Sequence, residues 1–152
     1  MKKTTRSNER ILAVMVGAAK AIGHPVRLRI LAMLRTGPLC VCQMTAALAL
    51  AASTVSGHLA ELRRAGLVTE RKQGKWVEYS LADQGPAASL LTPALEALAG
   101  DPQAGADAAM VRTLRAVPVE TLCIVGIDLK TPDGVRRVGG HPGPARPGAR
   151  GA

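Results

Sequence analysis

The sequence predicts a mainly α-helical domain with one small β-hairpin, and three observations carry that reading. Apolar residues recur at helical spacing through most of the first hundred positions. Two short segments, residues 67–71 and 76–81, alternate apolar and polar side chains around the polar turn Lys72-Gln73-Gly74-Lys75. Trp76 and Tyr79 are the only aromatic residues and there is no Phe, so Leu, Val, Ile, Ala and Met must build the core, which favours close helix packing. The 152 residues suffice for one compact domain, and a modest core of this kind gains from the added burial of a dimer.

The first helix is predicted from about Asn8 to Ala21, ending before Gly23-His24-Pro25, because Pro25 disfavours helical geometry at His24 and suits the first turn of a new helix. Lys2 and Lys3 ahead of the apolar run Ile11–Ala19 imitate a secretory signal. Glu9 and Arg10 interrupt the approach, and nine residues are too few to span a bilayer, so a helix for dimerisation or core covering is expected instead, with no membrane partner. A second helix follows over Val26–Arg35, with Val26, Ile30, Leu31, Met33 and Leu34 inward and Gly37-Pro38 as its stop.

Gln43–Leu50 and Ser53–Ala65 then form two short helices joined by a tight Ala-rich turn, the second closed by Gly66. Such a pair is a helix-turn-helix, and a hairpin directly after it is a wing. Arg71, Lys72 and Lys75 at the wing tip are placed to touch phosphates, which position a protein on DNA without specifying sequence. Beyond the wing, Pro86–Leu98 reads as a helix with Leu90, Leu91, Leu95 and Leu98 on one stripe, and Ala106–Ala116 as a weaker one. Val117–Leu129 is apolar and fits either strand or helix. From Pro132 onward ten of 21 residues are Gly or Pro, which predicts a disordered basic tail. The expected organisation is therefore 1–100 for DNA binding and dimerisation, 101–131 as an extension, and 132–152 as tail.

A net charge of +9 points to a polyanionic partner, nucleic acid above all. The charge is regional: residues 1–36 carry eight basic side chains against one acidic, and residues 83–129 two against six. The cysteines, Cys40, Cys42 and Cys123, are odd in number and follow no export signal, which predicts free thiols in a reducing cytoplasm. Cys40-Val41-Cys42 lies just ahead of the helix-turn-helix. In a regular helix residues i and i+2 point about 200° apart and cannot grip one ion, whereas in an extended segment they share a side. Ligation would then hold Leu39–Cys42 nonhelical and strain the DNA-reading pair. Burial as small core residues is the plain alternative for all three cysteines. A thiol enzyme is disfavoured, since there is no Cys-x-x-Cys, no phosphate-type loop and no local acid-base partner; neither enzyme activity nor a catalytic cofactor is expected.

Five segments in order, His24–Leu31, Leu39–Cys42, Thr54–Leu59, Leu62–Val68 and Gly74–Tyr79, resemble the ArsR family of metalloregulatory winged-helix repressors. The resemblance covers about residues 8–82 and implies a winged helix-turn-helix homodimer that binds a palindromic operator in double-stranded DNA and leaves it when an ion binds. It places DNA contacts on the first turns of the second helix of the pair, at Ser53, Thr54, Ser56 and His58, and further along at Arg64. Ser53 could instead be only the N-cap, and His58 could pack against the wing. Gly57, Ala51 and Ala52 depart from the polar residues common there.

Within that family the cysteine pair resembles the arsenite and antimonite site. Trivalent arsenic prefers three thiolates, whereas larger soft cations usually take four ligands, so three cysteines favour As(III) or Sb(III) as the inducer. The family's third cysteine, three residues after the second, is Thr45 here. The third thiol then comes from Cys123, of the same subunit or its mate, or from an exogenous thiol such as glutathione. Response to another soft ion or to thiol oxidation through Cys40 and Cys42 is the competing reading. With no His between His58 and His141, the zinc site other members carry on their last helix is not expected.

Overall fold

A computed structural model describes residues 2–125, 127–128 and 136–137, with side chains over 10–123. Helix α1 spans Lys2–Ile22 and α2 Pro25–Leu34. The break falls where Pro25 requires it: His24 is extended (φ −123°, ψ 127°) and its Nδ1 accepts a hydrogen bond from the Val26 N–H at 3.2 Å, capping α2. Among the described residues no single helix is long and apolar enough to cross a membrane.

Strand β1 (Leu39–Cys40) leads directly into α3 (Val41–Leu48), and α4 (Ala52–Arg64) completes the helix-turn-helix. The α4 N-cap is Ala51, which corrects the alternative reading of Ser53 as cap: Ser53 lies inside the first turn. Gly66, at φ +76°, ends α4 as only glycine does without strain, letting the Leu67 N–H return to the Leu62 carbonyl. The wing is β2 (Val68–Gln73) and β3 (Trp76–Leu81), antiparallel, with Gln73 opposite Trp76 across the turn. The sheet has three strands in the order β1-β3-β2, because β1 adds to the outer side of β3 with Leu39 opposite Tyr79 and Cys40 opposite Glu78.

The single helix expected over Pro86–Leu98 is instead a 3-10 turn at Ala87–Leu90 followed by α5 (Leu91–Glu96). Pro93 offers no N–H to the Ser89 carbonyl, so an α-helical ladder cannot run through the segment. Helix α6 (Pro102–Arg115) begins four residues before the predicted start, capped by the Asp101 carboxylate, which accepts from the Ala104 N–H at 2.8 Å. The ambiguous apolar segment after it contains α7 (Val119–Val125) and β4 (Ile127–Asp128), which pairs antiparallel with β5 (Arg136–Arg137). The rest of the stretch expected to be a disordered tail lies outside the described residues.

The core joins Ala18, Ile30, Leu31, Met33, Met44, Val55, Leu59, Leu62, Leu67, Leu91 and Leu95 with Val111 of α6. Helix α6 packs on α2 and α3, and α7 packs on α3. This arrangement carries the chain from residue 101 onward back to the start of the helix-turn-helix.

Candidate metal centre and nucleic-acid interface

Cys40 ends β1 and caps α3, Cys42 is the second residue of α3, and Cys123 lies on α7. Their three sulfur atoms all fall within 4.8 Å of one another. Cys40 is extended (φ −88°, ψ 164°), and that conformation lets two cysteines separated by one residue face a common point. Only Cys40 is nonhelical; Cys42 is already in the first turn of α3, so the expected extended segment Leu39–Cys42 is confined to Leu39 and Cys40. The Cys40 N–H donates to Gln43 Oε1 at 3.0 Å, and its backbone pairs with Glu78 on the wing. The buried Gln43 thus completes half of a capping box that fixes the Cys40 conformation.

Cys40 is buried, and Cys42 and Cys123 are half-buried. Cys42 and Cys123 are joined as a disulfide with Cα atoms 5.3 Å apart, which corrects the expectation of three free thiols; Cys40 alone is free. The expected redox partnership of Cys40 with Cys42 is corrected with it, since the oxidised pair bridges α3 and α7. Cys42 and Cys123 are 81 positions apart, and helix packing, which no local signal encodes, brings them together.

The DNA-facing candidates divide by exposure. Ser53, Thr54 and Ser56 are exposed on the early turns of α4, and Arg71, Lys72 and Lys75 are exposed on the wing around Gly74. Arg64 is exposed and its Nη1 donates to Glu61 Oε1 at 2.6 Å on the same helix. Arg63 pairs with Glu70 of β2, tying the end of α4 to the wing. His58 is half-buried, its ring 4.7 Å from that of His24 at the start of α2. It packs toward α2. Burial, then His24, then Arg27 push the His58 pKa below its ordinary value, since each disfavours the imidazolium.

Residues 24–70 match the family model described as bacterial regulatory protein, arsR family. The chain belongs to the ArsR family. It is similar to the arsenic resistance transcriptional regulator ArsR1 of Pseudomonas putida, 43% identical over 68 residues that cover 44% of this chain and 53% of that protein. It is also similar to the arsenical resistance operon repressor of Escherichia coli, 45% identical over 69 residues, 45% of this chain and 59% of that protein. The chain therefore spans somewhat more than half the length of these curated relatives. Among solved structures it is similar to the homodimeric winged helix-turn-helix DNA-binding domain of a possible ArsR-family transcriptional regulator from Mycobacterium bovis, with 26% identity and a TM-score of 0.54, covering 62% of this chain and 85% of that one.

The fold is thus the winged helix-turn-helix of an ArsR-family regulator, a family of transcription regulators and not of enzymes. Three residues beyond the cysteines bear on the site: Gln43, Glu78 and Thr45. Gln43 could have been found as the fourth position of a capping pattern starting at Cys40. Glu78 acts through a strand pairing invisible to local patterning. Thr45 stands where the family resemblance implies a third cysteine, and its hydroxyl is buried.

Proposed function

We propose that this ArsR-family chain is a DNA-binding transcriptional repressor that holds a palindromic operator as a homodimer and is released when As(III) or Sb(III) is bound by the thiolates of Cys40, Cys42 and Cys123. The convergence of three sulfurs within 4.8 Å at the head of the helix-turn-helix carries the reading. Three thiolates suit the pyramidal preference of trivalent arsenic, and two relatives bear names of arsenic resistance regulators. A partly exposed apolar surface on α1, formed by Ile11, Leu12, Val14 and Val16, offers a second copy somewhere to pack. A repressor of this kind works on DNA in the cytoplasm.

Binding needs all three sulfurs reduced. Two equivalents of a small thiol open the Cys42–Cys123 bond and leave as their own disulfide. The three thiols then replace the three hydroxyls of arsenous acid, forming three As–S bonds and releasing three waters. The site lies where β1 meets α3, so the three new bonds act on both halves of the DNA-reading unit: β1 pairs with wing strand β3, and α3 packs against α4. A ligand shifts the DNA equilibrium only by its differential affinity for the free and bound conformations, and about 5.5 kcal/mol turns occupancy from 1:99 to 99:1.

The Cys42–Cys123 disulfide favours a second reading, in which oxidation of that pair is the signal. Fluorescence anisotropy of the reduced protein on its own promoter DNA separates the two. Arsenite is titrated, then zinc, cadmium and peroxide in turn, for wild type and Cys123→Ser. Release by arsenite that weakens in the variant supports the metalloid sensor. Retention of DNA with arsenite and release with peroxide discards it in favour of thiol oxidation, and release by cadmium alone in favour of another soft ion.

A further inference from the structure

Thr45 sits one turn after Cys42 on α3, and side chains three residues apart on a helix share a face. Its Oγ1 is closed to solvent and has no hydrogen-bond partner among the described residues. A threonine within a helix ordinarily satisfies its hydroxyl by bonding back to the carbonyl four residues earlier, here that of Val41, and Thr45 does not. Its own carbonyl is used by the N–H groups of Ala49 and Leu50, so the unmet need belongs to the hydroxyl alone. A buried hydroxyl left unsatisfied destabilises a fold, and valine would fill the same volume without that cost. A sulfur held in a disulfide is a poor hydrogen-bond acceptor, and reduction of Cys42, one turn away on the same helix, makes a better one available.

We propose that Thr45 is a positioning residue of the thiolate site, its hydroxyl donating a hydrogen bond to the Cys42 sulfur once that sulfur is reduced and bound to trivalent arsenic. The inference rests on the metalloid reading of the site. No bond to Thr45 forms or breaks and no proton leaves it. The hydrogen bond fixes the Cys42 rotamer toward Cys40 and Cys123. The partnerless hydroxyl is therefore kept for the ligand-bound state at the expense of the empty one.

The test compares full-length, thiol-reduced wild type, Thr45→Val and Thr45→Ser. Arsenite affinity is measured by equilibrium dialysis and thermal unfolding without ligand. Thr45→Val is expected to unfold at the same or a higher temperature and yet to bind arsenite about tenfold more weakly, with Thr45→Ser restoring binding to within about twofold. Phenylarsine oxide, which needs only two thiols, supplies the control: the loss from Thr45→Val should persist in Cys123→Ser and vanish in Cys42→Ser. Unchanged affinity in Thr45→Val overturns the inference, as does a fall in stability matching the fall in affinity, or failure of serine to rescue. If wild type binds arsenite normally, those outcomes leave the metalloid reading standing; if reduced wild type binds none, both fall.

Discussion

The Arg29 guanidinium of α2 grips the Asp107 carboxylate of α6 with two parallel hydrogen bonds, Nε to Oδ2 and Nη2 to Oδ1, each 2.7 Å long. Gln103 Nε2 adds a third donor to Oδ1 at 2.9 Å. The pair joins residues 78 apart in sequence, and the hydrogen bond raises the Arg29 pKa, ahead of the opposing effect of burial. Because α6 precedes α7, this clamp helps fix where Cys123 is delivered.

The two halves of the clamp differ in exposure, with the Arg29 side chain 30% exposed and that of Asp107 only 4%. Removing the arginine strands a buried carboxylate, whereas removing the carboxylate leaves a cation that can reach water. Arg29→Met should therefore cost about 3 kcal/mol and Asp107→Asn about 1–2 kcal/mol, read by urea unfolding. Equal losses would show that the pair contributes through packing alone.

Much of the fold is legible in the sequence because its punctuation is local. Pro25 marks the α1–α2 boundary, Gly66 the end of α4, and the alternation around Gly74 the wing. Pro93 is an equally local mark, and it divides the Pro86–Leu98 segment into a 3-10 turn and α5. The third strand was not legible: Leu39-Cys40 is too short to show a period, and only its pairing with Tyr79 and Glu78 makes it β. For the site, Cys40 and Cys42 could be read from spacing and context. The place of Cys123 depends on the docking of α6, which Asp107 and Val111 secure from within a helix of weak amphipathic pattern.

Glycines at two positions should respond in opposite ways to alanine. Gly57 is inside α4, and a Cβ there meets nothing within 4 Å, so Gly57→Ala should stabilise the protein by about 1 kcal/mol. Gly66 holds φ +76°, so Gly66→Ala should destabilise it by a similar amount, about 1 kcal/mol, although the nearest atom, the Ala87 Cβ, is at an ordinary 3.5 Å. Thermal unfolding would show shifts of about 2–4 °C up and down. A loss on Gly57→Ala would mean that the side of α4 carrying Gly57 is covered in the assembled protein.

The depressed His58 pKa has a definite consequence for stability. Folding favours neutral His58, so below its ordinary value of 6.5 the unfolded chain binds more protons than the folded one. Its contribution is complete above pH 6.5 and is lost as the pH falls through the depressed value. The unfolding temperature should drop between pH of about 7.5 and about 5.5 more in wild type than in His58→Gln. An identical drop in both would remove His58 as the cause.

Phosphate contact by the wing has a signature separable from sequence reading. Each phosphate neutralised by a protein cation releases counterions, so Arg71→Ala, Lys72→Ala and Lys75→Ala should each reduce the slope of log affinity against log salt by about 1, and by the same amount on operator and unrelated DNA. Arg64 already shares its charge with Glu61, so Arg64→Ala should move the slope less. Thr54→Ala and Ser56→Ala on α4 should do the reverse, lowering discrimination between operator and unrelated DNA while leaving the slope in place. Fluorescence anisotropy at several salt concentrations reads both quantities. Slopes unchanged by the wing substitutions would move the phosphate contacts off the hairpin.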